Sequence, residues 1–258
     1  MLIDSHCHLE YKGLVEDQAG VLDRARQVGV GGFLSISTRQ REWAQVITTA
    51  EREADVWASV GIHPHEADAH ADMGEAALLE AASHPRVIAI GETGLDYYYD
   101  HSDRQVQQAL FRRHIAVSRA TGLPIIIHTR DAEEDTAAIL RDEMEQGAFP
   151  ALIHCFTASA GFARIVLDLG LAISLSGIVT FKNAKDLQEV AAEIPADRLL
   201  VETDAPFLAP VPNRGKVCEP AFVADTARFV AGLRGVAPEL LAEQTTANFQ
   251  RLFTKAAL

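Results

Sequence analysis

The chain has 258 residues, with 23 Lys plus Arg against 36 Asp plus Glu, so its formal net charge is −13 with histidine neutral; 48% of it is hydrophobic and 23% charged. This ordinary globular composition excludes disorder, a collagen-like repeat and a coiled coil as descriptions of the whole. The acidity argues against a non-specific nucleic-acid coat protein but leaves room for a local basic cleft, and the length fits one α/β barrel of about 250 residues.

The opening residues, MLIDSHCHLE, have no basic n-region and no apolar h-region, and no stretch approaches the roughly 18 apolar residues that span a bilayer. Cys7, Cys155 and Cys218 are too few and too scattered for a disulfide framework or a CxxC metal knuckle. A reducing, cytoplasmic address without membrane contact is the expectation. Eight short apolar runs then alternate with amphipathic stretches, at about 2–5, 32–36, 56–61, 87–91, 124–128, 151–155, 171–175 and 199–203. Their Ile, Val and Leu content suits strands buried on both faces by crossover helices. Between the fourth and fifth runs, residues 103–121 place Val106, Leu110 and Val117 on one helical stripe, which stops at Gly122 before Pro124. Asp131 with Glu134 resembles a capping box for the next helix, and Gly170 marks the end of the one after. The alternation predicts a single-domain (β/α)8 barrel, although periodicity alone also fits an open doubly wound sheet.

Polar residues recur at the C-terminal ends of these runs, where a barrel keeps its active site. Residues two apart on a strand share a face, so His6 and His8 can reach one centre while Cys7 turns away. The same parity aligns Glu92 with Ile88 and Ile90, His128 with Ile126, and His154 with Leu152; Glu202 and Asp204 close the last run. Four imidazoles (His6, His8, His128, His154) and two carboxylates (Glu92, Asp204) are enough for two divalent cations, with Glu92 able to bridge ions about 3.5 to 4 Å apart. Any one of these residues alone would pass for a satisfied core histidine or a loop carboxylate. Together they need a cation, because burying the set without one costs several kcal/mol. Cys7 and Cys155 read as packing residues, and His70, His84, His101 and His114 as solvated ones.

These residues sit in motifs that resemble the TatD-type metal-dependent deoxyribonucleases: DSHCH at 4–8, GIHPHEA at 61–67, GETGLDYYY at 91–99, IHTRDA at 127–132, HCFTAS at 154–159, SGIVTFKNA at 176–184 and ETDAPFLAPVPNRGK at 202–216. The resemblance covers nearly the whole chain in order. It implies a TIM barrel and a phosphodiesterase-type site, with metal roles for His6, His8, Glu92, His128, His154 and Asp204 and a phosphate or substrate role for His63. Where related amidohydrolase barrels place a bridging carboxylated lysine at the fourth strand end, this chain has Glu92, which argues against dihydroorotase or phosphotriesterase chemistry.

The expected mechanism is in-line attack by an activated water on phosphorus. Asp204 orients or deprotonates that water, and Glu202 steadies a ligand histidine. Arg130, Lys182, Arg214 and Lys216 offer positive charge for a phosphate backbone, and Tyr97, Tyr98 and Tyr99 can stack bases of an unpaired end. Imidazole-rich ligation suits Zn, Mn, Fe or Co better than Mg, so zinc is expected to copurify. The expected substrate is DNA, trimmed from a single-stranded or 3′ end by a monomer. The alternatives are another ester or amide in the same site, such as a D-aminoacyl-tRNA, and a metal-binding protein without catalysis; the intact ligand set and candidate base argue against the last.

Overall fold

The computed structural model describes residues 1–99 and 101–256. Its eight strands are β1 (Leu2–Cys7), β2 (Val30–Ser35), β3 (Val56–Val60), β4 (Val87–Asp96), β5 (Ile125–Arg130), β6 (Ala151–Ile153), β7 (Ala172–Leu175) and β8 (Leu199–Val201). They are parallel and hydrogen-bonded in sequence order, each to the next. The ends of the sheet meet at a bridge between Cys7 and Ala205, flanked by bonds from Asp204 N–H to the His6 carbonyl and from His8 N–H to the Ala205 carbonyl. Together these nearly close the predicted barrel.

The crossovers carry α1 (Gln18–Gln27), α2 (Trp43–Arg52), α3 (Glu75–Ala82), α4 (Arg104–Thr121), α5 (Glu133–Gln146), α6 (Ala160–Asp168), α7 (Lys185–Glu193) and α8 (Val223–Arg234), and α9 (Pro238–Leu252) ends the barrel. Among the described residues no helix is long and apolar enough to cross a membrane. Alternation along the strands divides the core. Ile126, Leu152 and Leu200 join Ile3, Leu34 and Ile88 in a small cluster capped by Trp57, Phe249 and Phe253, while Ile125, Ile127, Ile153 and Val201 pack with the helices in the larger one.

Three local expectations fail. Asp131 does not cap α5: it sits at φ 52, Ala132 precedes the helix, and no side chain caps it. Glu133 instead accepts the Ser159 N–H and hydroxyl ahead of α6. His114 is not solvated but fully buried, because α4 turns it against the β3–α3 connection, where a backbone N–H needs an acceptor. Of the other three, His101 is exposed and His70 and His84 are half-buried. Finally, β4 runs five residues beyond its predicted end, with its pairing slipping between Ala58 and Ser59 on one side and between Ile90 and Thr93 on the other. Simple parity therefore breaks: Ile90 packs in the outer core, while Glu92 reaches the barrel mouth.

Candidate metal centre

Glycines make the β4 slip feasible. Gly91 and Gly94 adopt φ +136 and +134, a region that favours glycine, and a Cβ on either would run into the β5 backbone at Ile126 or His128. The close approach sets Glu92 beside His128.

Glu92 stands at the middle of the site with one oxygen for each group of imidazoles. Its Oε2 lies 3.4 Å from His6 Nε2 and 3.9 Å from His8 Nε2, and those two nitrogens also stand 3.5 and 3.4 Å from Asp204 Oδ1. Its Oε1 lies 2.8 Å from His154 Nε2, 3.2 Å from His128 Nδ1 and 3.5 Å from His63 Nε2. Asp204 reaches its place through a turn at φ 60 rather than through strand parity, since β8 ends at Val201. Below the ligands, buried Asp4 accepts the Thr203 N–H at 2.9 Å and the Thr203 hydroxyl at 2.6 Å, tying β1 to the segment that carries Asp204.

The outer nitrogens of three of the candidate ligand histidines decide their tautomers. His154 Nδ1 donates to Glu202 Oε1 at 3.2 Å, His128 Nε2 to Asp96 Oδ2 at 3.0 Å and His8 Nδ1 to the Ile36 carbonyl at 3.3 Å. A neutral imidazole then has only a lone pair left on the nitrogen that faces Glu92 or Asp204. Lone pairs converging on carboxylates require a cation between them or protons on the rings, and outer hydrogen bonds of this kind are how metal-ligating histidines are held. The donor set thus fits divalent ions. The electrostatics agree. Burial opposes charge on Glu92, but the imidazolium form of His154, with the hydrogen bonds that His128 and His154 can give it only when protonated, holds its carboxyl well below the usual range. Burial likewise opposes charge on His154, which Glu92 and Glu202 nevertheless push well above the ordinary imidazole value.

His63 differs. Its Nδ1 accepts the His65 N–H at 3.1 Å, so its neutral form carries the proton on Nε2, the nitrogen aimed at Glu92. Burial keeps it neutral, well below the ordinary histidine value despite Glu92. Neutral His63 thus presents an N–H donor, rather than a lone pair, to the site.

Glu202 lies behind His154 and accepts Cys155 N–H at 2.7 Å as well as His154 Nδ1–H. Cys155, expected to pack, lines the cavity instead, because its φ of 44 turns the side chain back toward Ser176 Oγ at 3.1 Å. Asp96, Tyr11 and Phe207 were not anticipated. Asp96 Oδ2 accepts from both His128 and His65, at 3.0 and 2.9 Å, and its Oδ1 accepts the Tyr98 and Tyr99 N–H groups, so the carboxyl sits far below its usual range although its burial opposes this. It lies four residues after Glu92, at matching parity, and only the early predicted end of β4 hid it. Tyr11 stacks on His8 at 4.5 Å, with Phe207 edge-on 6.2 Å from it.

The mouth is a cavity of about 660 Å³ lined by His8, Tyr11, His63, Glu92, Tyr99, Arg130, Asp204 and Phe207, among others. The Arg130 guanidinium lies 4.1 and 4.7 Å over the Tyr98 and Tyr99 rings. Tyr98, Tyr99 and Phe207 are 57%, 47% and 50% exposed. Tyr97 faces elsewhere: its hydroxyl donates to Asp135 and Arg104 covers its ring. Lys182, Arg214 and Lys216 are exposed but do not line the cavity; Arg214 lies over Phe181 and Lys216 donates to Asn213.

A family model described as "TatD related DNase" matches residues 3–254. The metal-dependent hydrolase YcfH of Escherichia coli K12 is 45% identical over 255 residues, covering 98% of this chain and 95% of the relative. The protein named 3′-5′ ssDNA/RNA exonuclease TatD of Klebsiella pneumoniae is 34% identical over 258 residues, covering 98% and 97%. Among solved structures, the TatD homologue YjjV of Escherichia coli K12 superimposes with a TM-score of 0.91 at 28% identity, covering 98% of each chain.

Proposed function

Since the chain belongs to the TatD family of metal-dependent hydrolases, we propose that it cleaves DNA phosphodiesters, shortening a single strand from its 3′ end with two divalent cations. The observation that carries this reading is the division of Glu92, one oxygen toward His6 and His8 and the other toward His128 and His154. His6, His8, Asp204 and Glu92 Oε2 would hold one cation, and His128, His154 and Glu92 Oε1 the other. Divalent ions in such a site activate water and stabilise charge on phosphoryl oxygens. The imidazole-rich donors favour zinc as the ion that copurifies.

The chain's own groups supply the rest. Asp204 is the more exposed of the two central carboxylates, at 15% against 4% for Glu92, which suits it to orient the attacking water and take its proton. His63 presents a neutral Nε2–H for a phosphoryl oxygen, and Glu202 and Asp96 hold His154 and His128 in their tautomers. Arg130 places a fixed positive charge at the rim of an otherwise acidic protein, and Tyr98, Tyr99 and Phe207 offer exposed rings for unpaired bases. The relative from Klebsiella pneumoniae named as a 3′-5′ ssDNA/RNA exonuclease supports the same substrate class. The reading includes action in the cytoplasm as a monomer.

The test is a time course on 5′-labelled single-stranded DNA with Mn or Mg, beside an Asp204→Asn control. The expected result is a ladder shortening from the 3′ end, absent in the control. Internal cuts would replace the exonuclease reading with an endonuclease. Intact DNA in a zinc-loaded protein would overturn the nuclease reading and turn the search to ester substrates such as D-aminoacyl-tRNA.

A further inference from the structure

Among the polar side chains buried on α4, Gln107 and His114, 1% and 0% exposed, lie away from the cavity. They are seven residues apart, two helical turns, and so share one face. Gln107 spends its whole amide on backbone. Its Oε1 accepts the Asp96 N–H at 2.8 Å, and its Nε2 donates to the Asp96 carbonyl at 3.2 Å and the Ser102 carbonyl at 2.9 Å. One amide thereby closes the neck of the segment that carries Tyr98 and Tyr99 and fixes the backbone of the residue that holds His128.

His114 donates from Nδ1 to the Leu110 carbonyl at 2.8 Å, which leaves Nε2 to accept the Ile62 N–H at 3.1 Å. Ile62 immediately precedes His63, whose own N–H donates to the Thr38 carbonyl. The two grips meet at the mouth, since His65, two residues after His63, donates to Asp96. Ser102 joins them again by donating its hydroxyl to the His65 carbonyl at 3.0 Å.

We infer that Gln107 and His114 are positioning residues: from one face of α4 they fix the backbone at Asp96 and Ile62, and so aim His128 and His63 at Glu92 Oε1. Neither touches the reacting atoms. The half of the site at Glu92 Oε2 is anchored separately, on β1 and the Asp204 turn, so loss of a grip should reach only the Oε1 half.

The test compares wild type with Gln107→Met, His114→Phe and His114→Gln, the last because a carboxamide oxygen can take the place of Nε2. Zinc titration calorimetry is the first readout, and it alone rests on the two-cation reading. Gln107→Met and His114→Phe should weaken one zinc equivalent about tenfold to hundredfold and leave the other unchanged, with His114→Gln restoring most of the loss. Amide hydrogen exchange is the second and needs no metal. Exchange should quicken about fivefold, the equivalent of one lost hydrogen bond, at Ile62 and His63 in His114→Phe and at Asp96 in Gln107→Met. Unchanged exchange at those amides, quickened exchange throughout the barrel, or equal weakening of both zinc equivalents would overturn the inference. A wild-type stoichiometry of one zinc would overturn the two-cation reading instead and leave positioning to be decided by exchange.

Discussion

Replacing Asp96 by Asn keeps the shape of the side chain and removes what its geometry demands. The carboxylate accepts four donors, His128 Nε2–H and His65 Nε2–H on one oxygen and the Tyr98 and Tyr99 N–H groups on the other, at 2.9 to 3.2 Å. An Asn has one accepting oxygen, so whichever way it faces, its NH2 group meets two N–H donors. If the oxygen keeps the tyrosine amides, His128 loses the bond that fixes its tautomer, and its Nδ1 lone pair is no longer held toward Glu92. If the oxygen keeps the histidines, the Tyr98–Tyr99 segment is released. An unsatisfied buried donor costs about 1–3 kcal/mol, and water recovers part of that here because the His128 and His65 side chains are 19% and 27% exposed. What remains should resemble other losses of support behind a metal ligand, about 10- to 100-fold, or roughly 1.4–2.7 kcal/mol. The assay is kcat/KM for bis(p-nitrophenyl) phosphate at saturating manganese, with manganese affinity measured in parallel and far-UV circular dichroism as a folding check. His65→Gln, which keeps a donor toward Asp96, should lose much less. Activity and affinity both within about twofold of wild type, under ~0.5 kcal/mol, would refute the account of Asp96 as the group that orients His128.

Tyr99→Ala and Phe207→Ala should each raise KM for single-stranded DNA about 5- to 150-fold, the worth of 1–3 kcal/mol per stacked base, while leaving hydrolysis of the small diester unchanged; equal effects on both substrates in steady-state kinetics would count against base stacking. Stability should also carry a signature of His114, which burial pushes down to about 4. The unfolded chain, with an ordinary histidine near 6.5, takes up this proton first. The His114 contribution is therefore complete above about pH 6.5 and lost as pH falls toward 4, a total of about 3 kcal/mol. Urea unfolding at pH 7.5 and 4.5 should show that extra loss in wild type and not in His114→Gln; equal losses in the two would contradict it.

Most of the barrel is legible in the sequence because both-face burial writes strands as plain Ile, Val and Leu runs, and some of the candidate ligands follow those runs at fixed parity. That rule served His128 after Ile126 and His154 after Leu152. Glu92 reaches the same cluster for a different reason, where two glycines at positive φ re-aim the strand, and so does Asp204, through a left-handed turn. Asp96 went unseen because GETGLD has too few apolar residues to read as strand, although it pairs with β5. Gln107 and His114 went unseen because a helical stripe is read from its apolar members, which assigns polar neighbours to solvent. Their burial is repaid by backbone groups that only the folded chain supplies.

The seam between β8 and β1 is joined by backbone through Cys7, Ala205, His6, His8 and Asp204. The residues that would grip a cation are therefore those by which the two ends of the chain find each other. Ligand linkage then acts on topology: whatever binds His6, His8 and Asp204 together favours the closed ring over any state with β8 detached, by RT ln(1 + [L]/Kd). Ring closure, a strongly non-local event in the folding of this chain, would be tied in this way to the residues proposed to hold a cation.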